Sequence, residues 1–268
     1  TMKKIIFFDL DGTIYLNNEL LPFAKELFLY LQKEEIYYVF LTNNSSTSKV
    51  NYFNKLNNFG IKTSLDNIYS SIDHLLSYLA QNNLKKLYLL GTNDLKEELI
   101  NAGYDLVEKY QKGAVERVVV GFDKSLTYQK LVEASFYIQD GVKVISTHLD
   151  ERCPYQGGYY LPDAGSILKL LNSTAKIKDL TILGKPHKAM ILNVLKEKGF
   201  KKAEALIIGD RYYTDVLAGI NANIESAMIL TGESKVADLE KVDYRPTYIF
   251  KDLKAVLKYL QKQEKEKR

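Results

Sequence analysis

The sequence predicts an α/β fold with a doubly wound, mostly parallel sheet and an inserted second α/β domain. Short apolar runs alternate with amphipathic segments along the chain, a pattern typical of βαβ units. Several of these runs end in polar residues with catalytic or ligand-binding chemistry, and parallel sheets bind their ligands at that edge. Such strand ends occur only in the first ~45 and the last ~90 residues. This distribution indicates that a separate domain interrupts the chain.

The predicted strands are apolar runs that are short, continuous and bounded by polar or turn-forming residues. They are Ile5–Phe8, Tyr37–Leu41, Leu87–Leu90, Val118–Gly121, Val142–Ser146, Leu180–Leu183, Ala205–Ile208, Ala227–Leu230 and Tyr248–Phe250. Apolar residues at helical spacing predict helices over Phe23–Gln32 and Lys188–Lys198, and Gly199 ends the second. A cluster of prolines and glycines at 154–165 predicts an irregular loop.

The order of these elements predicts a discontinuous core formed by residues 1–80 and 180–268. Residues 81–179 have strands and helices of their own but lack strand ends with catalytic chemistry. We therefore expect them to form an inserted α/β domain.

Composition and charge narrow the class of protein. The 268 residues are 46% hydrophobic and 26% charged, as in ordinary globular proteins. No apolar run approaches the ~18 residues of a membrane helix, and no signal-peptide pattern follows the N-terminus. The single cysteine, Cys153, fits a reducing compartment. The net charge of +4 includes no basic block of the kind that binds nucleic acid. We expect a cytoplasmic protein that binds neither membranes nor nucleic acid.

Two aspartates end the first predicted strand. Asp9 and Asp11 follow Ile5–Phe8 and lead into Gly12-Thr13. Carboxylates this close repel each other unless a cation or a proton stabilises them, and Mg²⁺ prefers such oxygen ligands. An aspartate at a strand end is also a common helix or turn cap, so this motif alone leaves both interpretations open.

Hydrogen-bonding side chains end the second strand, in the run Thr42-Asn43-Asn44-Ser45-Ser46. Hydroxyl, amide and backbone N–H groups before a helix make a good anion site. We expect Ser45 or Ser46 to cap the helix that follows, which leaves Thr42 for another role.

A lysine and a pair of acids follow two further predicted strands of the core. Lys185 follows Leu180–Leu183 and has the compact charge suited to phosphate, although an exposed loop lysine is the commoner case. Asp210 ends the strand Ala205–Ile208, and Asp215 is expected to start a helix. Together the strand ends supply metal ligands, a nucleophile, an acid/base and a cation.

This ordered set resembles the haloacid dehalogenase-like (HAD) superfamily. The matching motifs are Asp9-Leu10-Asp11-Gly12-Thr13, Thr42-Asn43, Lys185, and Gly209-Asp210 with Asp215. The long insertion between Thr42 and Lys185 resembles the class IIA branch, which includes NagD-type and nitrophenyl phosphatases. The resemblance implies that residues 81–179 form an α/β cap domain that covers the site.

The resemblance implies a role for each matching residue. Asp9 would attack phosphorus, and Asp11 would protonate the leaving oxygen and then activate water. The implied Mg²⁺ ligands are Asp9, Asp210 and the backbone carbonyl of Asp11, with support from Asp215.

The resemblance also implies phosphate-binding and substrate-binding residues. Thr42 and Lys185 would hold phosphoryl oxygens, and Gly12, Asn43 and Asn44 would line the phosphate site.

In the insertion, the branch typically has Thr-Asn-x-Asp, where this chain has Thr147-His148-Leu149-Asp150. His148 and Asp150 are therefore candidate substrate contacts, although His148 also suits an ordinary loop position. A zinc site of His148, Asp150 and Cys153 is not expected, because a fourth ligand is missing.

The expected activity is Mg²⁺-dependent hydrolysis of small-molecule phosphomonoesters, such as nucleotides or sugar phosphates, through an aspartyl-phosphate. The second acid, Asp11, favours phosphate esters over halides, because an alkoxide leaving group needs a proton. Two alternatives stay open: a phosphotransferase or phosphomutase with the same intermediate, and a non-catalytic ligand-binding protein. The expected partner is a small phosphorylated metabolite. The sequence determines neither the particular substrate nor whether the chain forms a homodimer.

Overall fold

The computed structural model describes residues 3–16 and 18–266, and these form two compact units. The first unit consists of the residues up to Thr42, Val50–Tyr69 and the residues from Lys185 onward. The second consists of Asn43–Lys49 and Ser70–Gly184. The sequence placed the domain boundaries at 80/81 and 179/180. The first boundary lies earlier in the structure because Ile72, Leu75 and Leu79 pack into the core of the second unit.

Strands and helices alternate along much of the chain. The strands are β1 (Ile5–Phe8), β2 (Tyr15–Leu16), β3 (Glu19–Leu20), β4 (Tyr37–Thr42), β5 (Ile68–Ser70), β6 (Lys86–Leu90), β7 (Asp105–Leu106), β8 (Arg117–Val120), β9 (Lys143–Ser146), β10 (Arg152–Pro154), β11 (Tyr160–Pro162), β12 (Leu180–Ile182), β13 (Ala205–Gly209), β14 (Glu225–Ile229) and β15 (Tyr248–Phe250). The α-helices are α1 (Ala24–Lys33), α2 (Lys49–Asn58), α3 (Ser71–Gln81), α4 (Asn93–Asn101), α5 (Tyr128–Gln139), α6 (Ala164–Ala175), α7 (Ala189–Lys198), α8 (Leu217–Ala222) and α9 (Leu253–Lys265).

The first unit is built on a six-stranded sheet with the order β15-β14-β13-β1-β4-β5. β1 pairs in parallel with both β13 and β4. The direction of winding therefore reverses between β1 and β13, as in the dinucleotide-binding type of doubly wound sheet. Phe8 lies opposite Ile208 in the register, so the residues that follow these two strands emerge side by side.

Both faces of this sheet are buried, because successive residues of a strand point to opposite sides. Ile6 and Phe8 pack on the face covered by α1 and α9. Ile5 and Phe7 pack on the face covered by α7 and α8. The continuous apolar run from Ile5 to Phe8 is thus explained by two cores that share one strand.

The second unit has its own parallel sheet, with the order β12-β9-β8-β6-β7. In chain order this is 5-4-3-1-2, the flavodoxin-like arrangement, with its switch point between the first and third strands. Tyr88, Val118 and Val144 pack against α5 and α6 on one face. Leu87 and Val119 pack against α3 and α4 on the other.

All of the predicted apolar runs overlap strands of the two sheets, with ends that differ by at most two residues. The strands β2, β3, β5, β7, β10 and β11 were not predicted, because two or three residues are too few to show a periodicity. The prediction of an irregular loop at 154–165 was wrong for most of that stretch. β10 and β11 pair there as an antiparallel hairpin, and Gly157 and Gly158 provide the positive φ angles of its turn.

Among residues 3–16 and 18–266, the structure has no helix whose length and apolar character suit a membrane span.

Candidate active site

Three carboxylates meet at the switch point of the first unit. Asp9 follows β1, Asp210 follows β13, and Asp215 lies five residues further along the chain. One oxygen from each of the three lies within 4.8 Å of the others. The Asp9 N–H donates to the carbonyl of Ile208 at 3.0 Å, which extends the β1–β13 register to the acid itself. The parallel register therefore brings together acids about 200 residues apart in the sequence, as expected for such a sheet.

Lys185 joins two of these acids. Its side chain is only 2% exposed, and its Nζ donates to Asp9 Oδ1 at 2.6 Å, Asp215 Oδ1 at 2.5 Å and the Leu41 carbonyl at 2.9 Å. Burial alone would lower the pKa of Lys185, but the carboxylates of Asp215 and Asp9 raise it above its usual value. The alternative of an exposed loop lysine was therefore wrong.

A tight backbone cradle surrounds Asp210. The Glu233 N–H donates to its Oδ2 at 2.7 Å, and the Thr13 hydroxyl donates to its Oδ1 at 3.4 Å. A Cβ on Gly12 would lie 2.6 Å from Asp210 Oδ2, and a Cβ on Gly232 would also overlap the carboxylate. Burial, and then the charge of Asp9, raises the pKa of Asp210. Two glycines are thus needed for the backbone to approach this acid.

Asp215 lies in a π-helical turn, Tyr212–Val216, just before α8. Its Oδ2 accepts the Arg211 N–H at 3.2 Å, while its Oδ1 accepts Lys185. Burial and the charge of Asp9 raise the pKa of Asp215, while Lys185 acts in the opposite direction. Both oxygens of Asp215 accept hydrogen bonds, and Oδ1 helps to hold Lys185 beside Asp9.

Asp11 lies outside this group of three carboxylates. Its Oδ2 accepts the Tyr15 hydroxyl at 3.4 Å, and Lys55 Nζ lies 3.7 Å from the centroid of the Tyr15 ring. Burial and the neighbouring charge of Asp9 raise the pKa of Asp11 to about 6, against the opposing charge of Lys55. Asp11 is therefore the carboxyl group of the pair that is suited to carry a proton.

The run after β4 crosses from the first unit into the second. Thr42 is the buried last residue of β4. Asn43 Nδ2 lies 3.4 Å from both carboxylate oxygens of Asp150, within the second unit. Asn44 Oδ1 accepts the Ser46 N–H at 2.8 Å.

The prediction that Ser45 or Ser46 caps the following helix was wrong. α2 begins only at Lys49, and the Ser45 hydroxyl instead hydrogen-bonds with Thr147 Oγ1 and the Phe122 N–H.

His148 is fully buried in the second unit. Its Nε2 lies 2.8 Å from Asp163 Oδ1, and its Nδ1 lies 2.9 Å from Thr147 Oγ1. Asp163 also caps α6 through the Ala164 N–H. His148, Asp150 and Asp163 offer ligand atoms within 4.8 Å of one another, whereas Cys153 is not part of this group. The histidine is thus tied to the start of α6, and its contact with substrate stays a prediction.

The Asp9, Asp210 and Asp215 group suits a divalent metal ion. The ligand atoms are all carboxylate oxygens, the donors preferred by hard cations. Lys185 pairs with Asp9 and Asp215, while burial and then the charge of Asp9 raise the pKa of Asp210. A further positive charge would relieve the repulsion among the three carboxylates. The cradle around Asp210, formed by the Glu233 N–H, Gly12 and Gly232, holds this carboxylate in place by itself.

The sequence did not identify two parts of this site. The loop after β14 contributes Glu233 to Asp210, and the Thr231 hydroxyl donates to the Gly12 carbonyl at 2.6 Å. The sequence does contain a signal for this loop, because Thr231 follows a predicted strand, as other site residues do. The contacts of Tyr15 and Lys55 carried no such signal, because both residues lie away from the strand ends.

Known families match two stretches of the chain. Residues 6–105 match the family described as haloacid dehalogenase-like hydrolase, and residues 182–256 match a HAD-hydrolase-like family. An acid sugar phosphatase of Staphylococcus saprophyticus is 33% identical over 260 residues, which cover 97% of this chain and 98% of the relative.

Solved structures share the whole fold. A 4-nitrophenylphosphatase from Thermotoga maritima has a TM-score of 0.90 and 34% identity, with 97% of this chain and 98% of that chain covered. NagD from E. coli K-12 has a TM-score of 0.84 and 25% identity, with 94% and 98% covered. The chain belongs to the haloacid dehalogenase-like hydrolases, in their NagD-like and nitrophenylphosphatase-like class IIA branch.

Proposed function

We propose that this phosphoric monoester hydrolase is Mg²⁺-dependent and acts on small phosphorylated metabolites through an aspartyl-phosphate on Asp9. One observation carries the proposal. The Asp9 carboxylate lies 2.6 Å from a buried lysine and within 4.8 Å of two further carboxylates, at the switch point of a doubly wound sheet. This combination suits a carboxylate nucleophile beside a cation and an oxygen-ligand metal site.

Asp9, Asp210 and the backbone carbonyl of Asp11 would hold the Mg²⁺ ion. When bound, the ion offsets the repulsion between the anionic phosphate and the carboxylates. We assign Asp215 to support, because its two oxygens accept hydrogen bonds from Lys185 and the Arg211 N–H.

Asp9 and Asp11 would divide the chemistry between them. A carboxylate oxygen of Asp9 attacks phosphorus, and the ester P–O bond breaks as Asp11 gives its proton to the leaving oxygen. Asp11, now ionised, then takes a proton from the water that attacks the phosphorus of the aspartyl-phosphate. Inorganic phosphate leaves, and both aspartates return to their starting states.

Lys185 and Thr42 would hold the phosphoryl oxygens, and Gly12, Asn43 and Asn44 would line the phosphate site. Lys185 suits this role because the neighbouring carboxylates raise its pKa and keep it charged. A fixed charge that needs no reorganisation is the most effective stabiliser of a transition state.

Phosphorylated sugars are the first substrate class to test. The curated relatives that span nearly the whole chain are named acid sugar phosphatases. Nitrophenyl phosphate is the natural generic probe, since the structural neighbour from Thermotoga maritima is named a 4-nitrophenylphosphatase. His148 and Asp150 stay our candidates for contacts with the leaving group.

The test is hydrolysis of p-nitrophenyl phosphate with Mg²⁺ by the wild type and by Asp9→Asn. We expect the variant to lose turnover, because an amide is a far weaker nucleophile than a carboxylate. Asp105→Asn, at an exposed position on β7, is the matched control and should keep full activity. Retained turnover in Asp9→Asn would contradict the assigned nucleophile.

Two additions separate the alternatives. Transfer products in the presence of acceptor alcohols would identify a phosphotransferase. A wild type that hydrolyses nothing in a broad panel of phosphate esters would instead identify a ligand-binding protein.

A further inference from the structure

A segment of its own chain lies at the switch point of the second unit's sheet. This sheet reverses direction between β6 and β8, and ligands of doubly wound sheets bind beyond the carboxyl ends of the strands at that point. Residues 43–49, which we call the docked segment, lie there. A Cβ on Gly121, immediately after β8, would come within 3.0 Å of Ser45 Oγ. The missing side chain at Gly121 therefore leaves room for the segment.

Ser45 is the most deeply buried contact of the docked segment. The residue has no exposed surface, and its hydroxyl accepts the Phe122 N–H at 2.9 Å. The same hydroxyl shares a hydrogen bond with Thr147 Oγ1 at 2.9 Å. Phe122 follows β8 and Thr147 follows β9, so one serine links the carboxyl ends of two neighbouring strands.

Asp94, in the first turn of α4, holds the other half of the segment. Its Oδ2 accepts both the Thr47 hydroxyl at 3.2 Å and the Ser48 N–H at 3.0 Å. The hydroxyl of Thr92, between β6 and α4, donates to the Ser46 carbonyl at 3.1 Å. These contacts bind backbone and side chain together, as a protein binds a peptide ligand.

The two ends of the segment are fixed as well. The Ser71 hydroxyl donates to the Asn43 carbonyl at 2.6 Å, and both groups are buried. Lys49 Nζ lies 2.8 Å from Asp73 Oδ1. Both partners lie in the first turn of α3. The segment is therefore held along its whole length, with contacts from three strand ends and two helix starts.

We propose that the second unit binds residues 43–49 as an internal ligand and thereby positions Thr42 and Asn43 for phosphate. Asp94 and Ser45 are the positioning residues in this scheme, and they act through the backbone of the segment. The inference rests on the proposed function, because it assigns their effect to phosphate binding by Thr42, the residue that precedes the segment.

The physical reason is the short reach of catalytic interactions. A displacement of about 1 Å at a binding group can reduce the rate by about 10²-fold. Thr42 is one peptide away from Asn43, so loss of the restraints on the segment also loosens the threonine.

The experiment compares Asp94→Ala with Asp94→Asn in the full-length chain, with p-nitrophenyl phosphate and Mg²⁺. Alanine removes the acceptor for Thr47 and Ser48, and we expect kcat/KM to fall by about 10-fold to 100-fold, mainly in kcat. Asparagine keeps a carbonyl oxygen at the same place, so it should retain activity within about 3-fold of the wild type. Glu97→Ala, at an exposed position of the same helix, is the control that should leave the rate unchanged.

Hydrogen exchange provides a readout that does not depend on activity. Asp94→Ala should speed amide exchange in residues 43–49 while the sheet amides of β6 and β8 keep their protection. Ser45→Ala is the second variant, and it should give the same two effects by leaving the Phe122 N–H without this acceptor. It also serves if Asp94→Ala does not fold.

The outcomes are distinct. Wild-type kcat/KM in both Asp94→Ala and Ser45→Ala would overturn the inference, as would faster exchange in the segment without loss of rate. Equal losses in Asp94→Ala and Asp94→Asn would show that charge, and not an acceptor for the segment, is what matters. If the wild type itself has no phosphatase activity, the proposed function fails. The docking of the segment is then tested by hydrogen exchange alone, and unchanged exchange in both variants would overturn it.

Discussion

Lys185 Nζ and Asp9 Oδ1 lie 2.6 Å apart, although 176 positions separate them in the chain. The lysine side chain is 2% exposed and the aspartate 14%, so the pair has little access to solvent. A buried charge is stable only with partners of opposite sign. Each residue therefore depends on the other, and Asp215 shares the same lysine.

Replacing Lys185 by methionine should remove activity and stability together. The change leaves the carboxylates of Asp9 and Asp215 without their buried partner, and breaking such a pair costs about 3–5 kcal/mol. We expect kcat/KM to fall by at least about 10²-fold, as for the loss of one transition-state donor. Turnover of p-nitrophenyl phosphate and urea unfolding measure the two effects.

Lys188→Met, at an exposed position nearby in sequence, is the control for the loss of a lysine. Lys185→Arg should not restore the rate, because a planar guanidinium does not fit a site shaped for a compact ammonium. Wild-type stability in Lys185→Met would contradict the contacts assigned to this lysine.

Gly12→Ala should weaken Mg²⁺ binding, beyond the loss of stability that alanine causes at any glycine with a positive φ. Gly12 has φ of 82°, and its new Cβ would lie 2.6 Å from Asp210 Oδ2. Gly113→Ala is a matched control, because Gly113 has φ of 75° but no atom within 4 Å of the added carbon. Both changes carry the strain of a left-handed conformation, about 1–2 kcal/mol.

Only Gly12→Ala should raise the Mg²⁺ concentration needed for half-maximal activity. A Mg²⁺ titration of activity, together with melting curves for both variants, separates the two effects. Equal Mg²⁺ requirements in the two variants would show that Gly12 does not shape the place of Asp210.

The rate should depend on pH through Asp11. Burial and the charge of Asp9 raise the pKa of this acid to about 6, so the proton needed by a leaving alkoxide is present below that pH and is lost above it. For an alkyl phosphate, kcat should therefore fall as the pH rises from about 6 to 8.

An aryl phosphate should show a weaker dependence, since a phenolate leaves without full protonation. Asp11→Asn should remove the difference between the two profiles. A flat alkyl-phosphate profile between pH 5 and about 8 would mean that another group supplies the proton.

Mg²⁺ should stabilise the wild type and leave Asp210→Asn unaffected. A ligand that binds only the folded state adds about 2.7 kcal/mol at 100 times its dissociation constant. Melting temperatures with and without Mg²⁺, after treatment with a chelator, measure the shift. A shift of equal size in Asp210→Asn would exclude this acid from the metal site.

Without metal, Asp210→Asn should be at least as stable as the wild type near neutral pH. Burial raises the pKa of Asp210, so ionisation disfavours the folded state. The wild type therefore loses stability as the pH rises from the acid's unfolded value through its folded one. Asparagine carries no charge, and metal-free Asp210→Asn should melt at or above the wild-type temperature near neutral pH. A lower melting temperature would indicate that the amide breaks the hydrogen bonds in this cradle.

The local sequence was sufficient to predict the strands that are buried on both faces. Ile5–Phe8 and Ala205–Ile208 were identifiable as strands because both of their faces are buried, so each run is apolar throughout. Asp9 and Asp210 could be recognised because each follows such a run. Lys185 follows β12, which is a partly exposed edge strand of the second unit's sheet. β7 and the hairpin of β10 and β11 could not be predicted, because two or three residues are too few to show a periodicity.

Misassigned residues have a common cause. Ser45 was expected to cap the next helix from its position alone, because serine is a frequent cap. Its actual partners, Phe122 and Thr147, lie 77 and 102 positions away. A serine hydroxyl forms hydrogen bonds with the donors and acceptors that lie within reach in the folded chain. The residues beside the serine in the sequence do not indicate which groups those will be.

The sequence by itself determined the α/β fold class with its mostly parallel sheet, the family and which polar residues follow the apolar strands, because a strand buried on both faces is apolar throughout. Only the tertiary structure decided which oxygen of Asp215 receives Lys185, why Gly12 must lack a side chain, and that residues 43–49 belong with the second unit. Those features depend on distances of a few ångströms between groups far apart in the chain, and such distances exist only after the sheets have formed.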